Sequence, residues 1–298
     1  MIIKKANPCG FCSGVKGAIT KVINLIEDPS IEKPLYILGY LVHNRFINDA
    51  LETKEIKVIT EEDIFKIKKG TIILTAHGTP KKTINLIKSL KLNLIDATCP
   101  KVKHIHKQIE KYLKDDYQVL FLGVRNHPET KAITNNYNVS LIALDDLSFS
   151  KEKSKLVLIS QSTLSYLDYQ DVYEKLTLLG HNITKAETIC NATYERQKAI
   201  IDAKDADLVI VVGDPLSNNT KMLTLVAKKY NNVDSIRIEN IEDLNNYDLS
   251  KYKNILVTAG ASTPSAIINE VLDILQTKFD KKPYKMKGII PKNLIKEF

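Results

Sequence analysis

Short apolar runs alternate with amphipathic helical patterns along most of the chain. We predict buried strands at the apolar runs Leu35–Gly39, Val58–Ile59, Thr71–Ala76, Leu92–Ile95, Val119–Gly123, Leu156–Ser160, Leu208–Gly213 and Ile255–Ala259. We predict helices at Val15–Glu27, Arg45–Leu51, Lys81–Leu90, Lys101–Leu113, Tyr166–Leu179 and Ala192–Ala203. Strands that alternate with helices are typical of parallel sheets, so the predicted fold class is α/β.

Three cysteines, Cys12, Cys99 and Cys190, stand one or two residues before predicted helices. A helix N-terminus favours the thiolate, which is the form of cysteine that binds metals. Three thiolates at one metal centre would leave a position open for water or substrate, which indicates catalysis. Both a zinc ion and an iron–sulfur cluster with one non-cysteine iron fit this pattern. Cys9 forms a Cys-x-x-Cys pair with Cys12, and we interpret it as a bystander because the other two stretches have a single cysteine.

Polar loops follow six of the predicted strands, at the strand ends where parallel sheets place ligand sites. Their hydroxyl, amide and imidazole groups suit a phosphate or diphosphate. These residues are His43, His77, His127, Thr163, Ser217, Asn219 and Ser262. A single histidine in a loop is more often a surface residue, but three at equivalent strand ends favour a binding site. Apart from Asp214, Glu129 is the only carboxylate immediately within these loops, and a carboxyl group such as that of Glu129 over a reactive metal centre is a natural proton donor.

The layout of one cysteine followed by two polar loops occurs three times. The sequence separations are 31 and 65 residues from Cys12 to His43 and His77, 28 and 64 from Cys99 to His127 and Thr163, and 29 and 72 from Cys190 to Asn219 and Ser262. This spacing predicts three related α/β domains of about 90 residues each. If they face one another around a pseudo-three-fold axis, the cysteines and loops converge on one central cavity.

Composition narrows the choice of partners only slightly. The 298 residues include 43 Lys and Arg against 35 Asp and Glu, a net charge of +8 that suits anionic partners or an ordinary solvated surface. No apolar run has the length of a membrane span. We expect no signal peptide, because the first motif begins at Asn7, and we therefore expect a cytoplasmic protein. Thiols stay reduced in that compartment, which favours metal or redox chemistry for the cysteines.

Together these motifs resemble the 4-hydroxy-3-methylbut-2-enyl diphosphate reductase family. The resemblance runs from the N-terminus to about residue 275 and depends on stretches that occur in the family's order. These are Ala6-Asn7-Pro8, Gly10-Phe11-Cys12-Ser13-Gly14-Val15, Val42-His43-Asn44, Ala76-His77-Gly78, Asp96-Ala97-Thr98-Cys99-Pro100, His127-Pro128-Glu129, Gln161-Ser162-Thr163-Leu164-Ser165, Ile189-Cys190-Asn191-Ala192-Thr193 and Thr258-Ala259-Gly260-Ala261-Ser262. The chain departs from the family pattern at two positions. Cys9 stands where the family more often has a residue other than cysteine, and Asn218 stands where the family has Ser.

The resemblance implies the last step of the non-mevalonate isoprenoid pathway. Two electrons and two protons would remove the allylic hydroxyl of the substrate as water and give isopentenyl and dimethylallyl diphosphates. Cys12, Cys99 and Cys190 would hold a [4Fe-4S] cluster whose open iron acts as a Lewis acid. Glu129 would supply protons, with Thr163 and His127 positioning the relay. The diphosphate would lie among His43, His77, His127, Thr163, Ser217, Asn218, Asn219 and Ser262, partly on helix N-termini.

The resemblance also implies a trefoil of α/β domains, with the cluster at its centre and the first dozen residues packed on the third domain. We place the domains at residues 14–98, 99–189 and 190–298, the last with residues 1–13 and a C-terminal tail. Reduced ferredoxin or flavodoxin is the implied electron donor, and no nucleic acid or membrane partner is expected.

Two other classes of function remain as alternatives. A noncatalytic iron–sulfur sensor could use the net positive charge to bind nucleic acid, although the lysines are spread out and no nucleic-acid-binding motif occurs. A zinc hydrolase could use Glu129 as a base on a phosphorylated substrate. A colourless, oxygen-indifferent zinc protein would indicate the hydrolase, whereas a brown and oxygen-labile protein would indicate a cluster.

Overall fold

The structure is a computed structural model that describes residues 1–277, 283–286 and 294. The strands in this part of the chain are β1 (Ile2–Lys5), β2 (Leu35–Leu38), β3 (Lys57–Ile59), β4 (Thr71–Leu74), β5 (Asn93–Asp96), β6 (Gln118–Leu122), β7 (Ser140–Ile142), β8 (Leu156–Ser160), β9 (Ile183–Lys185), β10 (Leu208–Val212), β11 (Asp234–Ile238) and β12 (Asn254–Ala259). The α-helices are α1 (Ser13–Glu27), α2 (Arg45–Glu52), α3 (Lys81–Ser89), α4 (Pro100–Lys114), α5 (Pro128–Asn136), α6 (Tyr166–Leu178), α7 (Asn191–Asp202), α8 (Asn218–Asn231) and α9 (Ser265–Thr277). Glu62–Lys66 and Ile241–Asn246 are 3-10 helices.

The described strands form three parallel sheets of four strands with one shared topology. The first sheet has the order β3-β2-β4-β5, the second β7-β6-β8-β9, and the third β11-β10-β12-β1. Every strand pair in these sheets is parallel. The predicted α/β class and the three-fold repeat of the sequence pattern are therefore confirmed. The fourth position in the third sheet is filled by β1, from the start of the chain.

The chain divides into two compact units. The first unit contains Met1–Ile19, Val42–Glu55 and the chain from Asn191 onward, and it holds the third sheet. The second unit contains Thr20–Leu41 and Ile56–Cys190, and it holds the first and second sheets. Val42–Glu55, which we expected in a domain of residues 14–98, thus groups with the third sheet. The bounds of three separate domains stay a prediction.

In the first unit the central strand β10 of the third sheet is covered on both faces. Leu208, Ile210 and Val212 of β10 pack on one side with α9, whereas Val209 and Val211 pack on the other with α7 and α8. All five side chains are fully buried. Because side chains alternate between the faces of a strand, a strand covered on both sides must be apolar throughout. This explains the uninterrupted apolar run that predicted β10.

The central strands of the second unit follow the same rule. Every residue of β6 and β8 is buried, with Val119, Phe121 and Val157 in one cluster that also contains Ile105 of α4 and Ile133 of α5. In the first sheet, the buried strand β4 packs with the 3-10 helix Glu62–Lys66 and with α3. Burial of such side chains stabilises the fold by about 1.5–3 kcal/mol each.

The edge strands β3 and β5 of the first sheet were predicted, whereas β1, β7, β9 and β11 were outside our sequence prediction. β1 is exposed or half-buried along its length, and β7, β9 and β11 are short or partly exposed. Polar residues interrupt them, so they lack the apolar runs of the central strands. Pairing with an adjacent strand, rather than local pattern, determines their conformation.

Most of the C-terminal tail, which we expected beyond Lys278, lies outside the described residues. Within them, Tyr284 exchanges backbone hydrogen bonds with the Asn245 side chain, at 2.7 and 2.9 Å. Among residues 1–277, 283–286 and 294, no helix combines the length and apolar character needed to cross a membrane.

Gly213 lies directly after β10, and its substitution tests how tightly the start of α8 packs on the third sheet. Its φ of +153° disfavours a side chain, and an added Cβ would lie 2.6 Å from Thr220 Oγ1 and 2.9 Å from Thr263 Oγ1. We expect Gly213→Ala to lower the free energy of unfolding by about 1–3 kcal/mol. Gly17→Ala in α1 is the matched control, because nothing lies within 4 Å of its added Cβ. It should raise stability by about 0.5–1 kcal/mol. Denaturant titration measures both, and equal effects would contradict the packing described here.

Candidate active site

Each of the three predicted ligand cysteines lies directly before a helix. Cys12 precedes α1, Cys99 is the N-cap residue of α4, and Cys190 precedes α7. At the first of them, the backbone N–H of Val15 donates to Cys12 Sγ at 3.4 Å. A helix N-terminus with N–H groups aimed at sulfur favours the thiolate form.

A backbone hydrogen bond ties each cysteine to a polar loop of its own unit. In the first unit, Cys12 N–H donates to Ala261 C=O at 3.0 Å, next to Ser262. In the second unit, Cys99 donates to Ala76 C=O, next to His77, at 3.0 Å, and Cys190 donates to Ser162 C=O, next to Thr163, at 3.1 Å. The bonds of Cys99 and Cys190 continue the strand pairing past the ends of β5 and β9, and the bond of Cys12 follows the turn after β1. Each cysteine is therefore fixed beside one of the predicted loops.

Cys9 differs from Cys12 in its surroundings. It packs against the apolar cluster between the third sheet and α9. Burial raises the pKa of the Cys9 thiol to about 11, so this cysteine stays neutral near pH 7. A neutral, buried thiol is a poor metal ligand. The structure thus supports the interpretation of Cys9 as a bystander.

The donor set suits a soft metal centre. Cys12, Cys99 and Cys190 are all half-buried thiols rather than half-cystines. Thiolates are the usual ligands of iron–sulfur clusters and of structural zinc. This suitability concerns the chemistry of the thiols and not a preformed site for one ion. Within the residues that the structure describes, no three His, Cys, Asp or Glu side chains form a group that could hold a metal ion.

In the first unit, the loop after β10 forms a helix start with an unsatisfied amide. Ser217 is the N-cap of α8, and its Oγ accepts from Thr220 N–H at 3.3 Å. The side chain of Asn219 is only 4 % exposed, and neither its Nδ2 nor its Oδ1 has a hydrogen-bond partner in the described part of the chain. A buried amide without partners is costly and is satisfied by a bound polar ligand. This loop can therefore accept an anion at the N-terminus of α8.

His43 lies in the same unit and is held by Ser262. The Ser262 hydroxyl donates to the His43 carbonyl oxygen at 2.8 Å. Burial lowers the pKa of His43, and the nearby Asp214 carboxylate opposes that shift. In this arrangement the Ser262 O–H is bonded to the His43 backbone, and direct binding of a diphosphate by Ser262 stays a prediction.

In the second unit, His77 and His127 lie edge to face, with ring centroids 5.8 Å apart. His127 is also the N-cap of α5, and its Nδ1 accepts from the backbone N–H of Glu129 at 3.2 Å. This bond places the proton of neutral His127 on Nε2. The loop after β6 thus presents an imidazole N–H donor beside His77.

Glu129 is a buried carboxyl group held by one residue. Its side chain is 1 % exposed, and Ser162 donates to it twice, from the backbone N–H to Oε1 and from Oγ to Oε2, both at 2.7 Å. These two bonds favour the carboxylate, whereas burial disfavours it. Burial is the larger effect, and it raises the pKa of Glu129 to about 7. Such a group can hold and release a proton near neutral pH.

Gln161 connects the loops that carry Glu129 and Thr163. Its Oε1 accepts from Val124 N–H at 2.9 Å and from Thr130 Oγ1 at 3.3 Å, and its Nε2 donates to Thr163 Oγ1 at 2.8 Å. Gln161 is fully buried. Sequence reasoning did not single out Gln161 or Ser162 as site residues. The signal was their position directly after the apolar strand β8.

The predicted site residues therefore fall into two groups, one in each unit. The first unit contains Cys12, His43, Ser217, Asn218, Asn219 and Ser262. The second unit contains His77, Cys99, His127, Glu129, Thr163 and Cys190. All of them follow the carboxyl ends of parallel strands, where α/β proteins bind their ligands.

Thiols, imidazoles and a buried carboxyl group in the loops after parallel strands are typical of an α/β enzyme. A model of the LytB protein family matches residues 3–276, and the chain belongs to this family. The resemblance predicted from the sequence motifs is thus confirmed.

Similar proteins carry one functional name. A 4-hydroxy-3-methylbut-2-enyl diphosphate reductase from Geobacillus thermodenitrificans is 36% identical over 289 residues, which cover 94% of this chain and 91% of the relative. The solved structure of the E-1-hydroxy-2-methyl-but-2-enyl-4-diphosphate reductase from Plasmodium falciparum has a TM-score of 0.83 and 28% identity, and the match covers 99% of this chain and 97% of that one. A second structure, of the (E)-4-hydroxy-3-methyl-but-2-enyl diphosphate reductase described as the terminal enzyme of the non-mevalonate pathway, has a TM-score of 0.64 and 28% identity, with 93% and 99% covered.

The Glu129 carboxyl should titrate with a midpoint near pH 7, because its pKa is raised from the model-compound value of 4.5. Difference infrared spectroscopy should show its protonated carboxyl band below that pH, and Glu129→Gln should remove the band. Ser162→Ala should move the midpoint upward, since it removes one donor to the carboxylate.

The same shift has a consequence for stability. The folded state holds the proton more tightly than the unfolded chain, so the contribution of Glu129 is fully present below pH 4.5 and is lost as the pH rises through about 7. A midpoint near 4.5 would contradict the burial effect.

Proposed function

We propose that this chain is an iron–sulfur oxidoreductase that reduces (E)-4-hydroxy-3-methylbut-2-enyl diphosphate to isopentenyl and dimethylallyl diphosphates. The allylic hydroxyl leaves as water, and the reaction consumes two electrons and two protons. Membership of the LytB family and the shared name of its relatives support the reaction. The observation that carries the chemistry is Glu129, a buried acid with a pKa of about 7.

Cys12, Cys99 and Cys190 are the proposed ligands of a [4Fe-4S] cluster. Their positions at helix starts and their backbone ties to the polar loops support this assignment. When bound, such a cluster supplies electrons and a Lewis-acidic iron without a cysteine ligand. Cys9, with its raised pKa, is not part of the ligand set. Reduced ferredoxin or flavodoxin is the proposed source of the electrons.

The residues of the second unit hold and move protons. Glu129 is protonated below about pH 7 and is the proposed donor to the leaving hydroxyl. Gln161 donates to Thr163 Oγ1 and so orients the Thr163 hydroxyl, which is proposed to relay protons to the substrate oxygen, each proton that it gives up being replaced from Glu129. His127 presents Nε2–H, and together with His77 it is proposed to bind diphosphate oxygens. Ser162 keeps the Glu129 carboxyl in one orientation.

The residues of the first unit bind the diphosphate. The buried Asn219 amide and the N-terminus of α8 are the proposed anion donors, with His43 beside them. Ser217 shapes the helix start as its N-cap, and Asn218 is the first residue of the helix. Ser262 holds the His43 backbone.

The proposed reaction is tested with protein purified and assayed without oxygen. The chain should contain four iron atoms per cluster by Mössbauer spectroscopy, and one iron site should change when the substrate is added. A chemical reductant should then drive formation of both isomeric products. Glu129→Gln should lower kcat by at least about a hundredfold while the iron signal persists, because the proton donor is lost. Zinc in place of iron would indicate the hydrolase alternative, and a cluster that ignores the substrate would indicate the sensor.

The two neighbouring cysteines give a matched test of the ligand set. Cys12→Ser should lose cluster iron, whereas Cys9→Ser should keep it, because the Cys9 thiol is buried and neutral. Iron content and the visible absorption of the anaerobic proteins measure both. Loss of iron in Cys9→Ser with retention in Cys12→Ser would exchange the two assignments.

A further inference from the structure

A short segment of the first unit, residues 43–45, is anchored to the ends of three strands of the third sheet. We call it the His43 segment. One side chain after each strand contacts it, namely Asp214 after β10, Glu239 after β11 and Ser262 after β12. In the sequence this segment follows β2 of the first sheet, so these contacts account for its place in the unit of the third sheet.

Asp214 makes two bonds to backbone N–H groups through its carboxylate. Oδ2 accepts from Arg45 N–H, at the first residue of α2, at 2.9 Å. Oδ1 accepts from Leu216 N–H at 2.7 Å. The backbone carbonyl of Asp214 also accepts from Ser217 N–H at 3.0 Å, at the N-cap of α8. One buried side chain, 6 % exposed, thus joins the starts of two helices.

The other two anchors are weaker. The Arg45 guanidinium pairs with Glu239 at 3.1 and 2.7 Å, but the Arg45 side chain is 56% exposed, and exposed ion pairs contribute little to stability. Ser262 contributes one neutral hydrogen bond. Bonds from backbone N–H groups to a buried carboxylate are about twice as strong as neutral ones. Asp214 is therefore the principal anchor of the His43 segment.

We propose that Asp214 is a positioning residue that sets the distance between His43 and the α8 start, the two diphosphate-binding elements of the first unit. This inference rests on the proposed function. Asp214 does not itself bind the ligand, because its two oxygens are directed to Arg45 N–H and Leu216 N–H. Without those bonds, only the weaker contacts of Glu239 and Ser262 hold the His43 segment, and nothing from Asp214 couples it to the turn that carries Ser217 and Asn219. The two elements then lose part of their alignment for one ligand.

Asp207 provides a matched control at the other end of β10. Its carboxylate also accepts from two backbone N–H groups, those of Lys253 at 2.8 Å and Asn254 at 3.0 Å. Asp207 precedes the strand, whereas Asp214 follows it, so it is remote from the loops that carry Ser217 and Ser262. Asp207 is half-buried and Asp214 is buried, but both changes replace a carboxylate that accepts from two backbone N–H groups. Only Asp214 follows the strand, at the end that carries the proposed diphosphate loops.

The experiment measures binding of inorganic diphosphate by calorimetry and substrate kinetics, with all proteins prepared anaerobically. Asp214→Asn should raise the Kd for diphosphate and the KM for substrate about tenfold, with kcat changed by no more than about threefold. Asp207→Asn should leave Kd and KM within about twofold of the parent. A purely structural role would lower the active fraction, and thus kcat, without raising KM.

Three outcomes overturn the inference. The first is an equal change of Kd in the two asparagine variants. The second is a parent protein that does not bind diphosphate. The third concerns Asp214→Glu, which keeps the charge on a longer side chain: binding equal to that of the parent would show that charge alone matters. Melting temperatures of all variants identify any that fail to fold. A parent that binds diphosphate but does not reduce the substrate contradicts the proposed function and leaves this inference intact.

Discussion

The arrangement of both groups of site residues depends on one kind of backbone hydrogen bond. In each sheet, the strand that leads to a cysteine pairs with its neighbour. The pairing continues in register to the N–H of Cys99 and of Cys190, whereas Cys12 N–H makes its bond after the turn that follows β1. The acceptor is a carbonyl in the loop after the adjacent strand, at Ala261, Ala76 or Ser162. Because a backbone hydrogen bond has restricted geometry, each of these bonds holds the cysteine beside the adjacent polar loop residue, whatever the lengths of the connecting helices. The unequal sequence spacings of the three repeats are accommodated in the segments that connect the strands.

The chemistry of the second unit comes from an opposition between burial and hydrogen bonding. Two short hydrogen bonds to a carboxylate ordinarily lower the pKa of the carboxyl group, whereas full burial without donors would raise its pKa well above neutrality. Glu129 has both environments, so its pKa of about 7 lies between these limits. The bond from its own backbone N–H to His127 links the orientation of this acid to the tautomer of the neighbouring imidazole. Gln161 extends the network to Thr163.

The sequence predicted those features that local pattern determines. Fully buried strands such as β8 and β10 appear as apolar runs, and a cysteine before a helix is visible in the sequence. Long-range contacts determine the rest. β1 has a mostly exposed, polar-interrupted sequence, and its conformation depends on pairing with β12 at the other end of the chain. The grouping of Val42–Glu55 with the third sheet depends on the contacts of Asp214, Glu239 and Ser262, which no periodicity shows. Ser162 was visible as a polar residue, but its two bonds to Glu129 need the folded loops.

The cyclic strand order has a consequence for synthesis of the protein on the ribosome. β1 pairs with β12 in a register that joins Ile2 to Asn254, so its partner is translated about 250 residues later. At about 5–20 residues per second, the N-terminal segment waits roughly 10–50 seconds before that partner emerges. The first and second sheets are complete by then, whereas the third cannot close until β12 has left the exit tunnel. The hydrogen bond between Cys12 and Ala261 therefore cannot form until Ala261 has left the exit tunnel, about 250 residues after Cys12.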